Sequence, residues 1–233
     1  MRFRFYLCFI LFCLSGASSA HAAIMDACPE TLPDATIRVA ISMYDPPVYQ
    51  HYSIDELTRV PSSPSPYPSD AITHTYGLTK NPLNFSVKSQ IASSLNRLTQ
   101  KKCYWYDSID LTLEVKPEIY MGKEIKPGTC YYDAVLKHEL EHANIERRLL
   151  NDYQTIITTT ITNFVRNVGF MRDIDAGNDE KVYAHLRQSL SHQMDVIHAH
   201  MEPVRAARQG QIDTAQSYDA TAAPCRNVEP LPY

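Results

Sequence analysis

Apolar positions along this chain change their spacing from region to region, and each spacing predicts a different element. Ala35 to Ser42 alternates loosely and reads as a short strand. Ser86 to Leu98 places Ile91, Leu95 and Leu98 at helical intervals, so a helix is expected there. Cys103 to Ile125 is rich in β-branched and aromatic residues. Ile109, Leu111, Leu113 and Val115 alternate cleanly, and Ile119 and Met121 resume after Pro117, which predicts two strands.

The pattern then changes to a helical one. From Cys130 to about Phe170 there is no proline, and Gly169 is the one glycine. Val135, Ile145, Leu149, Tyr153 and Ile156 fall within about 60° of His138 at ~100° per residue, the signature of a long amphipathic helix. The β-branched run Ile156 to Thr162 allows a kink. Asp175 to Asn178 reads as a turn opening a second helix, Asp179 to Glu202, striped by Val182, Leu186, Leu190, Met194, Ile197 and Met201. Pro203 should end or kink that helix. Residues 61–70 are a Pro/Ser-rich surface loop, and the tail from Asp219 reads as irregular. No internal repeat is present. The expected fold class is α+β, with a small β-rich part packed on two long helices in one domain spanning 23–218.

The N-terminus sets the expected compartment. Arg2 and Arg4 precede an apolar stretch of about ten residues and the small-x-small site Ala20-His21-Ala22, the form of a secretory signal peptide cleaved after Ala22. The stretch is shorter than the about 20 residues needed to span a bilayer. A periplasmic or secreted protein is therefore expected. The chain has 233 residues and a net charge of −4, and the leader holds two arginines and no acid, so the remainder is more acidic still. That balance argues against nucleic acid or anionic lipid as the main partner. No other segment is apolar enough to cross a membrane. Four of the six cysteines survive cleavage: Cys28, Cys103, Cys130 and Cys225. In an exported chain they imply two disulfides with three possible connectivities. Cys103–Cys130 with Cys28–Cys225 is the expected pair, and the absence of a Cys-x-x-Cys run speaks against a cysteine-ligated metal.

The residues that carry chemistry are His138-Glu139-Leu140-Glu141-His142. Histidines at i and i+4 of a helix lie one turn apart and about 40° apart around the axis, so both imidazoles can reach one zinc ion. Glu139 points about 100° away, where it can take a proton from a water on that metal. Both histidines lie in the apolar stripe, not on a solvated face. A catalytic zinc takes three protein ligands. Glu146 continues the face but lies ~12 Å along the axis from His138, too far to share the ion; it is expected as an outer contact or as a partner for Arg147, Arg148 or solvent. No glycine breaks the helix after His142 until Gly169, so a third ligand from the next turns of the same helix is excluded. It must then come from elsewhere, and the second helix is rich in candidates. His200 flanks its inward face most closely, with His198 in reserve, and Glu180 by analogy with the gluzincins.

Taken together, these segments resemble a family of secreted bacterial proteins of unknown function described as predicted zinc-dependent proteases. That family has a cysteine and β-rich segment, an HExxH helix, and a second helix bearing an aromatic-Asp-x-x-Thr-x-His run. Cys103 and the strands to Met121 match the first part, and His138, Glu139 and His142 the second. Met194-Asp195-Val196-Ile197-His198-Ala199-His200 matches the third, with Met for the aromatic and His198 for the threonine. The resemblance covers roughly residues 100–215. It implies a zincin-like fold, a peptide or protein substrate, and His200 at the downstream histidine. The leading expectation is an exported zinc metallopeptidase in which His138, His142 and His200 hold Zn2+ and Glu139 activates water. The alternative is a non-catalytic envelope domain that binds a partner and uses the metal structurally. Zinc-dependent amidase chemistry ranks third. None of the fifteen tyrosines is singled out as an oxyanion stabiliser.

Overall fold

A computed structural model describes residues 28–60 and 73–230. The expected signal peptide and its cleavage site, the Pro/Ser-rich loop 61–70 and the last three residues lie outside the described residues. In chain order the elements are β1 (Thr36–Met43), β2 (Val48–Tyr49), α1 (Ile54–Thr58), β3 (Gly77–Lys80), β4 (Leu83–Asn96), β5 (Lys101–Val115), β6 (Glu118–Met121), α2 (Cys130–Val168), β7 (Phe170–Asp175), α3 (Asp179–Gly210) and α4 (Ala215–Ala222). The architecture is α+β. Among the described residues no helix is long and apolar enough to cross a membrane.

Sheet formation centres on β5. β1 lies parallel to it, Ile37 opposite Ile109, while β4 and β7 pair with it antiparallel. Ile109, Leu111, Leu113 and Val115 are at most 1% exposed. Alternation sends them to one face, where they meet Leu149, Leu150, Tyr153, Ile157 and Ile161 of α2 and Leu186, Leu190, Ile197 and Met201 of α3. The other face carries Arg38 paired with Asp110 and stays wet. A second sheet, β2-β6-β3, turns Ile119 and Met121 inward and lies beside the first half of α2.

Several expectations change. Ser86 to Leu98 is not a helix; it belongs to β4, which pairs with β5 from Leu83 opposite Val115 to Asn96 opposite Lys101. Leu83, Phe85 and Ile91 face the core, whereas Leu98 is 97% exposed in the turn. Three apolar residues at helical spacing are outweighed by pairing with the 15-residue β5. The turn itself is held by Asn96 Oδ1, which accepts from the amides of Leu98 and Thr99. On α2 the buried stripe carries Ile157, and Ile156 is exposed. The helix runs through the β-branched stretch unbroken to Val168. Pro203 does not end α3, which continues to Gly210. The missing N–H costs one hydrogen bond, but the following turns are anchored on α2: Arg205 pairs with Glu146 and Arg208 with Asp152. The tail from Asp219 is not wholly irregular, because α4 runs through that position to Ala222.

Disulfide pairing also differs from the expected one. Cys28 bonds Cys103, and Cys130 bonds Cys225. From Cys103 to Val115, β5 carries the chain roughly 40 Å before β6 and α2 begin. Cys103 is thus left beside the segment leading into β1, and Cys130 at the far end, where the C-terminal segment arrives.

Candidate metal centre

Continuous α-helix through 138–142 brings the two imidazoles together as the spacing requires, with ring centroids 5.0 Å apart. The third group comes from neither helix. Asp213 lies in the short link between α3 and α4, and its Oδ1 stands 3.4 Å from His138 Nε2 and 3.1 Å from His142 Nε2. One ligand atom from each of the three lies within 4.8 Å of the others, an arrangement that could hold a metal ion. Two imidazole nitrogens and one carboxylate oxygen are a donor set of the kind zinc and neighbouring divalent ions accept. Side-chain exposures of 8%, 12% and 15% keep all three largely away from water.

His200, expected as third ligand, does not join this group. It is exposed on α3, with Nδ1 3.1 Å from the Tyr153 hydroxyl. Nine residues separate it from Gln209, the α3 residue that meets His142, which is about 13 Å along the helix. His198 faces Glu202 and the Phe85 ring. Glu180 sits in the first turn of α3, at its far end. The helix extends beyond Pro203, and that extension is what delivers Asp213. A helix ending at Glu202 leaves no reason to look there.

Outer contacts fix the geometry. Gln209 Nε2 faces two acceptors, the His142 carbonyl at 3.2 Å and Glu146 Oε2 at 3.1 Å, so its Oε1 is the atom toward the ring. His142 Nδ1 then carries a proton, donated over 2.7 Å to that oxygen, and Nε2 is the nitrogen left to offer a lone pair to a metal or, on the protonated ring, to donate to Asp213. Glu146 has no exposed surface and takes two hydrogen bonds from Arg205 Nε, at 2.8 and 3.0 Å. Arg205 also donates to the Asn81 carbonyl beside β3. Glu146 thus pairs with Arg205, not with Arg147, Arg148 or solvent, and reaches the histidines only through Gln209. On the other side Tyr218 of α4 donates to Asp213 Oδ1 at 2.7 Å and lays its ring 5.1 Å from that of His138.

Glu139 is 4% exposed and points toward β3. Thr79 Oγ1 lies 2.7 Å from its Oε2 and 3.0 Å from its own carbonyl oxygen. The close approach depends on Gly77: a Cβ there would stand 2.7 Å from Glu139 Oε1 and 2.7 Å from Val135 Cγ1. Gly77→Ala is therefore expected to cost about 1–3 kcal/mol and to displace the carboxylate. Chemical denaturation checks the first effect and a crystal structure of the variant the second; no change in either would remove Gly77 from the account.

Electrostatics follow from burial and crowding. Burial raises the Glu139 pKa, and the nearby histidines and the Thr79 hydrogen bond only partly offset it. For His142, burial favours the neutral ring, but the hydrogen bond to Asp213 and the charge of Glu139 outweigh it and the pKa rises. Burial opposes ionisation of Asp213 too, yet hydrogen bonds from both histidines hold it well below the usual carboxylate range. Protons thus compete with a metal for His142, and affinity must weaken as pH falls through its raised pKa.

Comparison of the chain with family models, with curated proteins and with solved structures finds no match.

Proposed function

We propose that this chain is an exported, zinc-dependent hydrolase of the zincin-like type, acting on peptide bonds. The single observation that supports it best is the meeting of His138, His142 and Asp213 around one point, with the Glu139 carboxyl buried on the same stretch of helix. Two disulfides are compatible with an oxidising address outside the cytoplasm, as is the sequence pattern of residues 1–22.

Zinc bound there would supply Lewis acidity, lowering the pKa of water and polarising the scissile carbonyl. The protein's own part is proton handling. Glu139 takes a proton from the attacking water and returns it to the leaving amine. Its pKa, raised by burial, suits a group that must both take up and return a proton. Thr79 can support both states. It donates to Oε2 of the carboxylate; when the carboxyl is protonated, it can turn its own proton to the Glu139 carbonyl oxygen. His138 and His142 present nitrogen lone pairs, and Gln209 keeps the His142 tautomer correct.

A structural metal site without catalysis is the second reading. It is favoured by the burial of all three ligand groups and by the Tyr218 ring over His138. The two are separated by metal removal. The purified chain is expected to bind one zinc, to cleave peptides, to lose cleavage with a chelator and to recover it with zinc. Cleavage that survives chelation overturns the proposal; stoichiometric zinc with no cleavage of a broad peptide mixture selects the second reading.

A further inference from the structure

Asp213 is held in a link with unequal ends. On one side, α3 is fastened to α2 through Arg205–Glu146 and Gln209–His142. On the other side, α4 contains no fully buried residue, and its packed face of Ala215, Ser217, Tyr218, Thr221 and Ala222 is only half-buried, so packing holds it less than it holds α3. What places it is a small set of contacts at the start of α2. Cys225 is bonded to Cys130, the first residue of that helix. The Tyr131 amide donates to Glu229 Oε1 at 2.7 Å. Cys225 and Ala222 join a small apolar cluster with Ile54, Ile125 and Tyr131. From α4, Tyr218 reaches back to Asp213 and His138.

We propose that the Cys130–Cys225 disulfide is a redox latch on the metal centre: it holds α4 against the first turn of α2, and opening it loosens Asp213 and Tyr218 from His138 and His142. This rests on the metal-site reading above and adds its regulation. In a reducing compartment the chain would hold metal weakly and stay inactive; after export, exchange with a second disulfide, which is itself reduced to a dithiol, would form Cys130–Cys225 and complete the site. Cys225 is fully buried and Cys130 is not, so the thiolate of a dithiol reductant attacks Cys130 Sγ. The Cys225 sulfur leaves as a thiolate and takes a proton. The second thiol of the reductant then closes on the mixed disulfide and releases Cys130. Two electrons and two protons pass to the chain, and the reductant leaves as its own disulfide. Cys28–Cys103 ties the segment before β1 to β5, away from α4, and supplies an internal control.

The test compares zinc affinity, by competition with a chromophoric chelator, in the oxidised chain without its leader, in Cys130→Ser/Cys225→Ser and in Cys28→Ser/Cys103→Ser. Affinity is expected to fall about tenfold or more in the first double variant, the scale on which loss of support for a ligand acts. In the second it should stay within about twofold of the parent. Equal affinity in all three overturns the latch, and so does an equal fall in both variants, which would mean general loosening. An oxidised parent that holds no zinc overturns the metal site itself, a distinguishable result. If the first variant fails to fold, zinc-loaded parent is treated with a trialkylphosphine, which reduces a disulfide with water and leaves as its oxide. Zinc release must then track opening of Cys130–Cys225, read by alkylation and mass spectrometry; release that precedes opening, or none after it, overturns the proposal.

Discussion

Glu139→Gln is expected to keep one zinc per chain and to lose at least about 100-fold in kcat/KM, within the range ascribed to a positioned general base. The change is isosteric, so contact with Gly77 is preserved and the Thr79 hydroxyl can still donate, now to the amide oxygen. What disappears is the ability to take a proton. Stability provides a second, independent readout. A carboxyl whose folded pKa lies above its unfolded value opposes folding at pH values above the unfolded pKa, because the chain must bury a charge it would prefer to hold in water. For Glu139 that penalty arises from burial, so at pH 7 the glutamine variant should melt no lower than the parent. An active variant would remove Glu139 from the chemistry, and a variant that loses zinc would show that the carboxyl supports the metal instead.

Asp213→Ala carries the other large effect. Loss of a direct ligand should weaken zinc binding by more than the about 10–100-fold seen when an outer contact is lost, and hydrolysis should fall with occupancy. It also leaves His138 and His142 without their shared carboxylate. The Asp213 pKa is depressed, so in the metal-free chain its ion pairing contributes stability above the unfolded carboxylate value, lost only as pH falls through the folded one. Metal-free Asp213→Ala should therefore melt below the metal-free parent at pH 6. His200→Ala is the matched control. Its ring meets only Tyr153 among the contacts shown, and its zinc affinity should stay within about twofold of the parent. The reverse ordering, tight binding in Asp213→Ala and loss in His200→Ala, would restore the assignment drawn from the second-helix motif.

How much of this was legible in residues alone depended on the range of the interaction that decides it. The alternation of Ile109 to Val115 predicts a strand because each side chain's face follows from its own position, and β5 is the result. The 138–142 run predicts paired imidazoles because helix geometry is local and repeats every turn. Ser86 to Leu98 departs from its local pattern because that spacing favours a helix by little, while pairing with β5 stabilises a strand along its whole length. Pro203 behaves in the same sense: one lost hydrogen bond is a local cost, and the ion pairs that outweigh it join residues about sixty positions apart.

The candidate site divides along the same line. Its helix, its two histidines and the glutamate between them are consequences of short-range order, and they stand in the sequence for anyone who counts residues. The carboxylate that joins the histidines, the hydrogen bonds around it and the Cys130–Cys225 pairing are consequences of where distant segments meet. Nothing in the order of residues 211–225 marks Asp213 as a neighbour of His142 or Cys225 as the partner of Cys130. That proximity arises only when α3 runs on past its proline and folds back along α2, because ligation and cross-linking depend on distances in space, and the chain's own numbering does not record them.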